Sequence, residues 1–281
     1  MTGIGAARRT TVRRPAWRRV SHGLGVIGAL VGAAVATRAE AQDLAARVRA
    51  VRSGTVRFEF PAADGVCGNG RGNIQMRREG APRIARGEFV EREWQDECEP
   101  GPVRIALDIA SGSVTEVRAY VGGRWRGAAT ADLGAVPAAQ ATEFLLTLAE
   151  TAPEQPAKSA IFPAMLAEGA EPWRRLLALA RDARRPRSVR NDAVFWVGQG
   201  AAEAATRGLQ EIVDDPNGDR EIRKTAVFSL SQRPADESVP ALLRIARAHR
   251  DPEMRRSAIF WLGQSGDARA VAYFEELLIP R

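Results

Sequence analysis

Histidine and cysteine are scarce in this chain of 281 residues: His22 and His249, Cys67 and Cys98 are all there is. One imidazole in the body leaves almost no raw material for a histidine-activated nucleophile. A tetrahedral zinc site wants four nitrogen or sulfur ligands, and four are not available near one another. Acidic residues are plentiful, but no pair stands out by spacing, so no acid/base couple can be nominated. The expectation is a non-enzymatic protein with no cofactor and no metal. Charge of one sign is also missing from the body, despite a formal net charge of +7. The first 41 residues hold seven arginines and a single acid, Glu40; the rest carries 34 basic and 33 acidic residues. A near-neutral body argues against nucleic acid as a partner.

Those first 41 residues read as a leader. An arginine-rich stretch over 8–19 precedes the weakly apolar run GLGVIGALVGAAVA over 23–36, then TRAEAQ with Ala39 and Ala41 in an A-x-A arrangement. This is the order of a secretory signal peptide, with cleavage expected after Ala41. The 14 apolar residues fall short of the roughly 20 that a spanning helix needs. An uncleaved inner-membrane anchor is the weaker reading, and no stable membrane insertion is expected after cleavage. The expected location is the periplasm or the extracellular space. In an oxidising compartment Cys67 and Cys98 most simply form one disulfide.

From 54 to about 121 the pattern has period two. GTVRFEF alternates Val56, Phe58 and Phe60 with Thr55, Arg57 and Glu59, and VRIALDI alternates Val103, Ile105, Leu107 and Ile109 with Arg104, Ala106 and Asp108. After the turn signal SGS, VTEVRAYV resumes the pattern, so 103–109 and 114–121 are expected to form a hairpin. GNIQMRR and RIARGEFV are weaker strand candidates, and a short helix is expected over 43–51. The segment starting at Pro137 has proline at a plausible first helical position and apolar residues at helical spacing, which predicts a connecting helix.

The C-terminal half repeats itself. Segments starting at Pro156, Val189, Ile222 and Met254 align at offsets of 33, 33 and 32 residues. Their fifth places hold Ala160, Ala193, Ala226 and Ala258, and their seventh hold Phe162, Phe195, Phe228 and Phe260. A short break and a second apolar helix follow each copy, which is the mark of a helical solenoid. The alanine allows close approach of helices, and the phenylalanine is expected to be covered between repeats. Asp215–Pro216, Asp251–Pro252 and Glu171–Pro172 are expected to start helices.

The strings VRNDAVFWVGQ, IRKTAVFSLSQ and MRRSAIFWLGQSGDARAVAYFEELL resemble HEAT repeats of the short bacterial kind, over about 156–281. The resemblance implies a right-handed superhelix whose second helices line a concave protein-binding face. By that analogy Arg174, Arg175, Arg207, Arg244 and Arg247 are candidate partner-binding residues, against the simpler reading of a solvated helix face. Trp196 and Trp261 occupy equivalent places and are candidate apolar anchors, although tryptophans at helical spacing are more often core.

Other constellations carry less. CGNGRGN over 67–73 is glycine-rich but precedes no helix pattern, so a disulfide-tethered turn is expected rather than a phosphate loop. Asp215, Asn217 and Asp219 have calcium-loop spacing, but Arg220 stands where glycine is needed and Ala226 where a bidentate acid is needed. Asp219 is instead expected to cap the next helix. His249 is expected to be an exposed helix-end residue.

The sequence therefore predicts an α+β multidomain protein. Its parts are a signal peptide (1–41), a small antiparallel β-rich domain with one disulfide (42–136), a connecting helix and linker (137–155), and an all-α HEAT-like solenoid of about four helix pairs (156–281). The expected function is an exported protein–protein interaction scaffold of the cell envelope. The alternative is a ligand- or glycan-sensing module in the N-terminal sheet, coupled to a partner through the solenoid.

Overall fold

The structure is a computed structural model that describes residues 44–76, 98–125, 127–200 and 202–279. The expected leader and the expected strand RIARGEFV lie outside the described residues. Among the described residues a short helix α1 (44–49) leads into seven strands: β1 (Gly54–Phe60), β2 (Val66–Gly68), β3 (Ile74–Met76), β4 (Glu99–Pro100), β5 (Val103–Ala110), β6 (Ser113–Tyr120) and β7 (Ala131–Ala135). Strands β6-β5-β1-β7 form one sheet in that order, and β3-β2-β4 form a second.

Period-two alternation decides the faces of the larger sheet. Val56, Phe58, Phe60, Val103, Ile105 and Leu107 are almost wholly buried on its inner face. They join one core with Leu44 and Val48 of α1 and with the helices that follow. The expected β5–β6 hairpin is present, closed by Ser111 and Gly112, both at positive φ. Strand β7 was not foreseen: ADLGA is short, small and weak in β-formers, and it pairs in parallel with β1. The anticipated disulfide Cys67–Cys98 ties β2 to the segment entering β4.

Nine helices follow among the described residues: α2 (Ala138–Thr151), α3 (Glu154–Ala164), α4 (Trp173–Arg181), α5 (Arg187–Gln199), α6 (Glu203–Asp214), α7 (Arg220–Ser231), α8 (Ala235–Ala248), α9 (Pro252–Ser265) and α10 (Ala268–Leu278). The pairs α3/α4, α5/α6, α7/α8 and α9/α10 are the four repeats, stacked so that each first helix packs on the next. Helix α2 packs on α3 and reaches α4, the place a second helix of an earlier repeat would take. Its Phe144 meets Phe58 of β1 edge-on at 6.0 Å, which joins the sheet to the solenoid.

The periodic positions carry the stack. Ala160, Ala193, Ala226 and Ala258 are all fully buried, as are Val189, Ile222 and Met254 at the first place, and Val197, Leu230 and Leu262 at the ninth. Residues four apart lie on one helix face, so places one, five and nine form a single buried stripe. The seventh place is about 200° from the fifth, and the structure corrects the expectation for its phenylalanines. Phe162, Phe195 and Phe228 are only partly buried and Phe260 is 58% exposed.

The helix-start signals divide. Asp251 caps α9 through the Glu253 N–H with Pro252 in the first turn, and Pro172 immediately precedes α4. Asp215 instead ends α6, and Asp219 caps α7, accepting from the N–H groups of Glu221 and Ile222.

Candidate functional site

The arginine at the second place of each later repeat is a structural fastener. Arg190 Nε donates to the Ala180 carbonyl at 2.9 Å, Arg223 Nε to the Val213 carbonyl at 2.9 Å, and Arg255 Nη1 to the His249 carbonyl at 2.6 Å. Each ties a first helix to the C-terminal end of the preceding second helix, where backbone carbonyls lack intrahelical partners. His249 does similar work and is not exposed: 8% of its side chain is accessible. Its Nδ1 accepts from the Asp251 N–H at 3.0 Å, which leaves Nε2 to donate to the Val213 carbonyl at 3.2 Å.

The five nominated arginines lie on second helices, as expected, but three of them are engaged with neighbouring repeats. Arg175 bonds Glu143 and Glu150 of α2, Arg244 pairs with Asp214 of α6 at 3.0 Å, and Arg247 pairs with Glu276 of α10 at 2.7 Å. Such partly exposed pairs contribute little each, about 0–1 kcal/mol. They do occupy the charge. Arg174 lies over the Trp173 ring at 4.4 Å, and Arg207 is exposed with no ion pair among the described residues.

Trp196 and Trp261 belong to a different surface, the row of first helices. There they complete a chain of rings that runs across repeats. Phe162 stacks on Trp196 at 4.5 Å, Phe195 on Phe228 at 6.1 Å, and Phe228 meets Trp261 at 4.9 Å. Within repeats, Phe195–Trp196 and Phe260–Trp261 are edge-on at 4.9 Å. The structure thus separates the nominated tryptophans from the nominated arginines. It also adds four phenylalanines that repeat periodicity had flagged but assigned to the core.

Several aspartates of the solenoid serve its backbone. Asp215 accepts from the Asn217 N–H, Asp219 caps α7 and pairs with Arg187, and no group of three or more metal-ligating side chains occurs among the described residues. The Arg269 side chain and then its backbone N–H hold the Asp267 carboxyl at about 2, and Arg184 does the same for Asp182. The Glu253 N–H lowers Asp251. Because the folded values lie below the unfolded value of about 3.9, this stabilisation is present above pH 4 and lost as pH falls towards 2. Thermal unfolding followed by circular dichroism should show the melting temperature dropping over that window. Asp267→Asn, which keeps a good cap while removing the charge, should flatten the drop; an unchanged slope would assign the acid sensitivity elsewhere.

No helix among the described residues is long and apolar enough to cross a membrane. No curated protein matches the chain. A family model described as HEAT repeats matches residues 206–279, which fall in the last two and a half helix pairs. Over residues 206–279 the chain is thus similar to HEAT repeats, and the four stacked pairs form a helical solenoid, an architecture whose surfaces commonly bind other proteins.

Proposed function

We propose that the protein is an exported, non-catalytic interaction scaffold of the cell envelope that binds a protein partner through the first-helix row of its solenoid. The carrying observation is the chain of six aromatic rings that passes over four repeats, ending at the exposed Phe260. Side chains of this kind are costly to leave at a surface and are the residue types that dominate interface energetics. The disulfide and the leader-like order of the first 41 residues support export, although the leader lies outside the described residues.

The test compares the full chain with the double variant Trp196→Ser/Trp261→Ser. Serine already stands at the equivalent place in the third repeat, Ser229, so the stack should tolerate it. In-cell crosslinking should lose the partner by about tenfold or more, as removal of interface anchors does. Retention of the partner by this variant, with loss in Arg174→Ser/Arg207→Ser, would move the site to the second helices. Recovery in the cytosol with both thiols free would defeat the export reading.

A further inference from the structure

The outer face of the larger sheet holds a feature that the solenoid does not explain. By alternation it carries Arg57 on β1, Arg104 on β5, and Arg118 and Tyr120 on β6, and the pairings Arg57–Ala106, Ala106–Arg118 and Arg104–Tyr120 bring them side by side. The segment after β6 folds back over them, placing the Trp125 ring 5.1 Å from the Arg57 guanidinium and 5.5 Å from that of Arg104. Tyr120 meets the same indole edge-on at 6.4 Å. Together they line a cleft of about 380 Å³, with Arg71 and Arg124 at its rim and no carboxylate in its lining among the described residues.

The five guanidiniums are not equivalent. Arg57 is paired with Asp132 at 2.8 Å, and Arg118 is bound by Asp108 and Glu116. Arg71 and Arg124 are exposed and have no ion pair among the described residues. Arg104 is only 4% exposed, and its Nε and Nη2 are fully buried with no hydrogen-bond partner among the described residues. Those two nitrogens form one edge of the guanidinium. Elsewhere in this molecule the same edge grips a carboxylate with two bonds, as Arg175 does Glu150, Arg184 does Asp182, and Arg269 does Asp267. A buried cation without acceptors is costly to maintain, and native proteins rarely leave one so.

We infer that the Arg104 fork, with Arg71 and Arg124 at the rim, is a binding site for an oxyanion, a phosphate or carboxylate group, which enters by displacing the indole of Trp125. A planar fork matches two oxygens of either group. Asp132, Asp108 and Glu116 are already spent on Arg57 and Arg118, and Glu59, opposite Arg104 across the β1–β5 pair, is not among the residues lining the cleft, so the charge within the cleft favours an anion. The cleft is of a size that takes a small molecule rather than a bare ion alone. Glycines give the covering segment its path. Gly122 and Gly123 both have positive φ, and a Cβ on Gly122 would stand 2.2 Å from the Gly68 carbonyl of β2. The disulfide-tied sheet is therefore the abutment from which Trp125 is held over Arg104. This site is independent of the solenoid and stands whether or not the aromatic row binds a protein.

The test is titration calorimetry on the full chain with inorganic phosphate and, separately, with glucuronate, each followed also by tryptophan emission. Binding of at least one anion is expected, with an emission change that Trp125→Phe removes. Arg104→Met should weaken binding at least tenfold, and Arg71→Ser/Arg124→Ser should weaken it less while raising no question of folding. Preference for phosphate or for glucuronate identifies the source of the oxyanion. No heat and no emission change with either anion would overturn the inference, as would full affinity in a folded Arg104→Met variant.

Discussion

Arg233→Ala is expected to destabilise the solenoid by about 3–5 kcal/mol, the range for removing one partner of a buried ion pair. Only 1% of the Arg233 side chain is accessible, and it sits in the break between α7 and α8. Its Nη1 donates to the Gly200 carbonyl, its Nη2 to the Ala202 carbonyl at 3.0 Å, and its Nε to Thr206 Oγ1 at 2.9 Å. Glu237, one turn into α8, binds the same guanidinium at 2.9 Å and also accepts from Thr206. One side chain thus gathers the loop and first turn of the second repeat and the second helix of the third. Truncation leaves two loop carbonyls and a largely buried carboxylate without their cation. Urea unfolding by far-ultraviolet circular dichroism measures the loss, and a change below about 1 kcal/mol would mean the site simply hydrates. Arg233→Met should cost less than Arg233→Ala, because it loses the same hydrogen bonds and charge but keeps the packing of the side-chain stem.

The second large effect is at the disulfide. Replacing Cys67 and Cys98 together by serine should cost about 3–4 kcal/mol, from restored freedom of the unfolded chain over a separation of 31 residues. Strands β2, β3 and β4 have three, three and two residues, too few to hold a sheet by backbone bonds alone. The loss should be localised. Helical signal should persist while the N-terminal region becomes protease-sensitive and anion binding weakens, since the covering segment rests on β2. Reducing agent should reproduce the double substitution. Equal stability of oxidised, reduced and substituted proteins would show that the glycine contacts suffice without the bridge.

Repetition made the solenoid legible. Every repeat solves the same burial problem with the same first, fifth and ninth places, so the signal recurs and local ambiguities cancel. The larger sheet was legible for a similar reason, since Val56, Phe58 and Phe60 alternate as a half-buried strand must. Strand β7 was not, because ADLGA is held in place by β1 rather than by any preference of its own. The phenylalanines mark the limit of composition. An aromatic residue recurring at a fixed place announces a constraint, but its angular offset from the alanine stripe decides whether it faces a neighbour or the solvent.

Local spacing determined the longer strands β1, β5 and β6, the four stacked pairs, the caps at Asp219 and Asp251, and the pairing of the two cysteines, because each depends on residues near in sequence or on a two-member set. Tertiary structure alone decided the fate of the arginines. In VRIALDI, Arg104 reads as an outward residue in water, and in SQRPAD, Arg233 reads as part of a polar turn. One is roofed by an indole that arrives from 21 residues further on, and the other is enclosed by a loop from about 30 residues earlier. Burial of a charge depends on what distant chain covers it, and no periodicity of the local string carries that information.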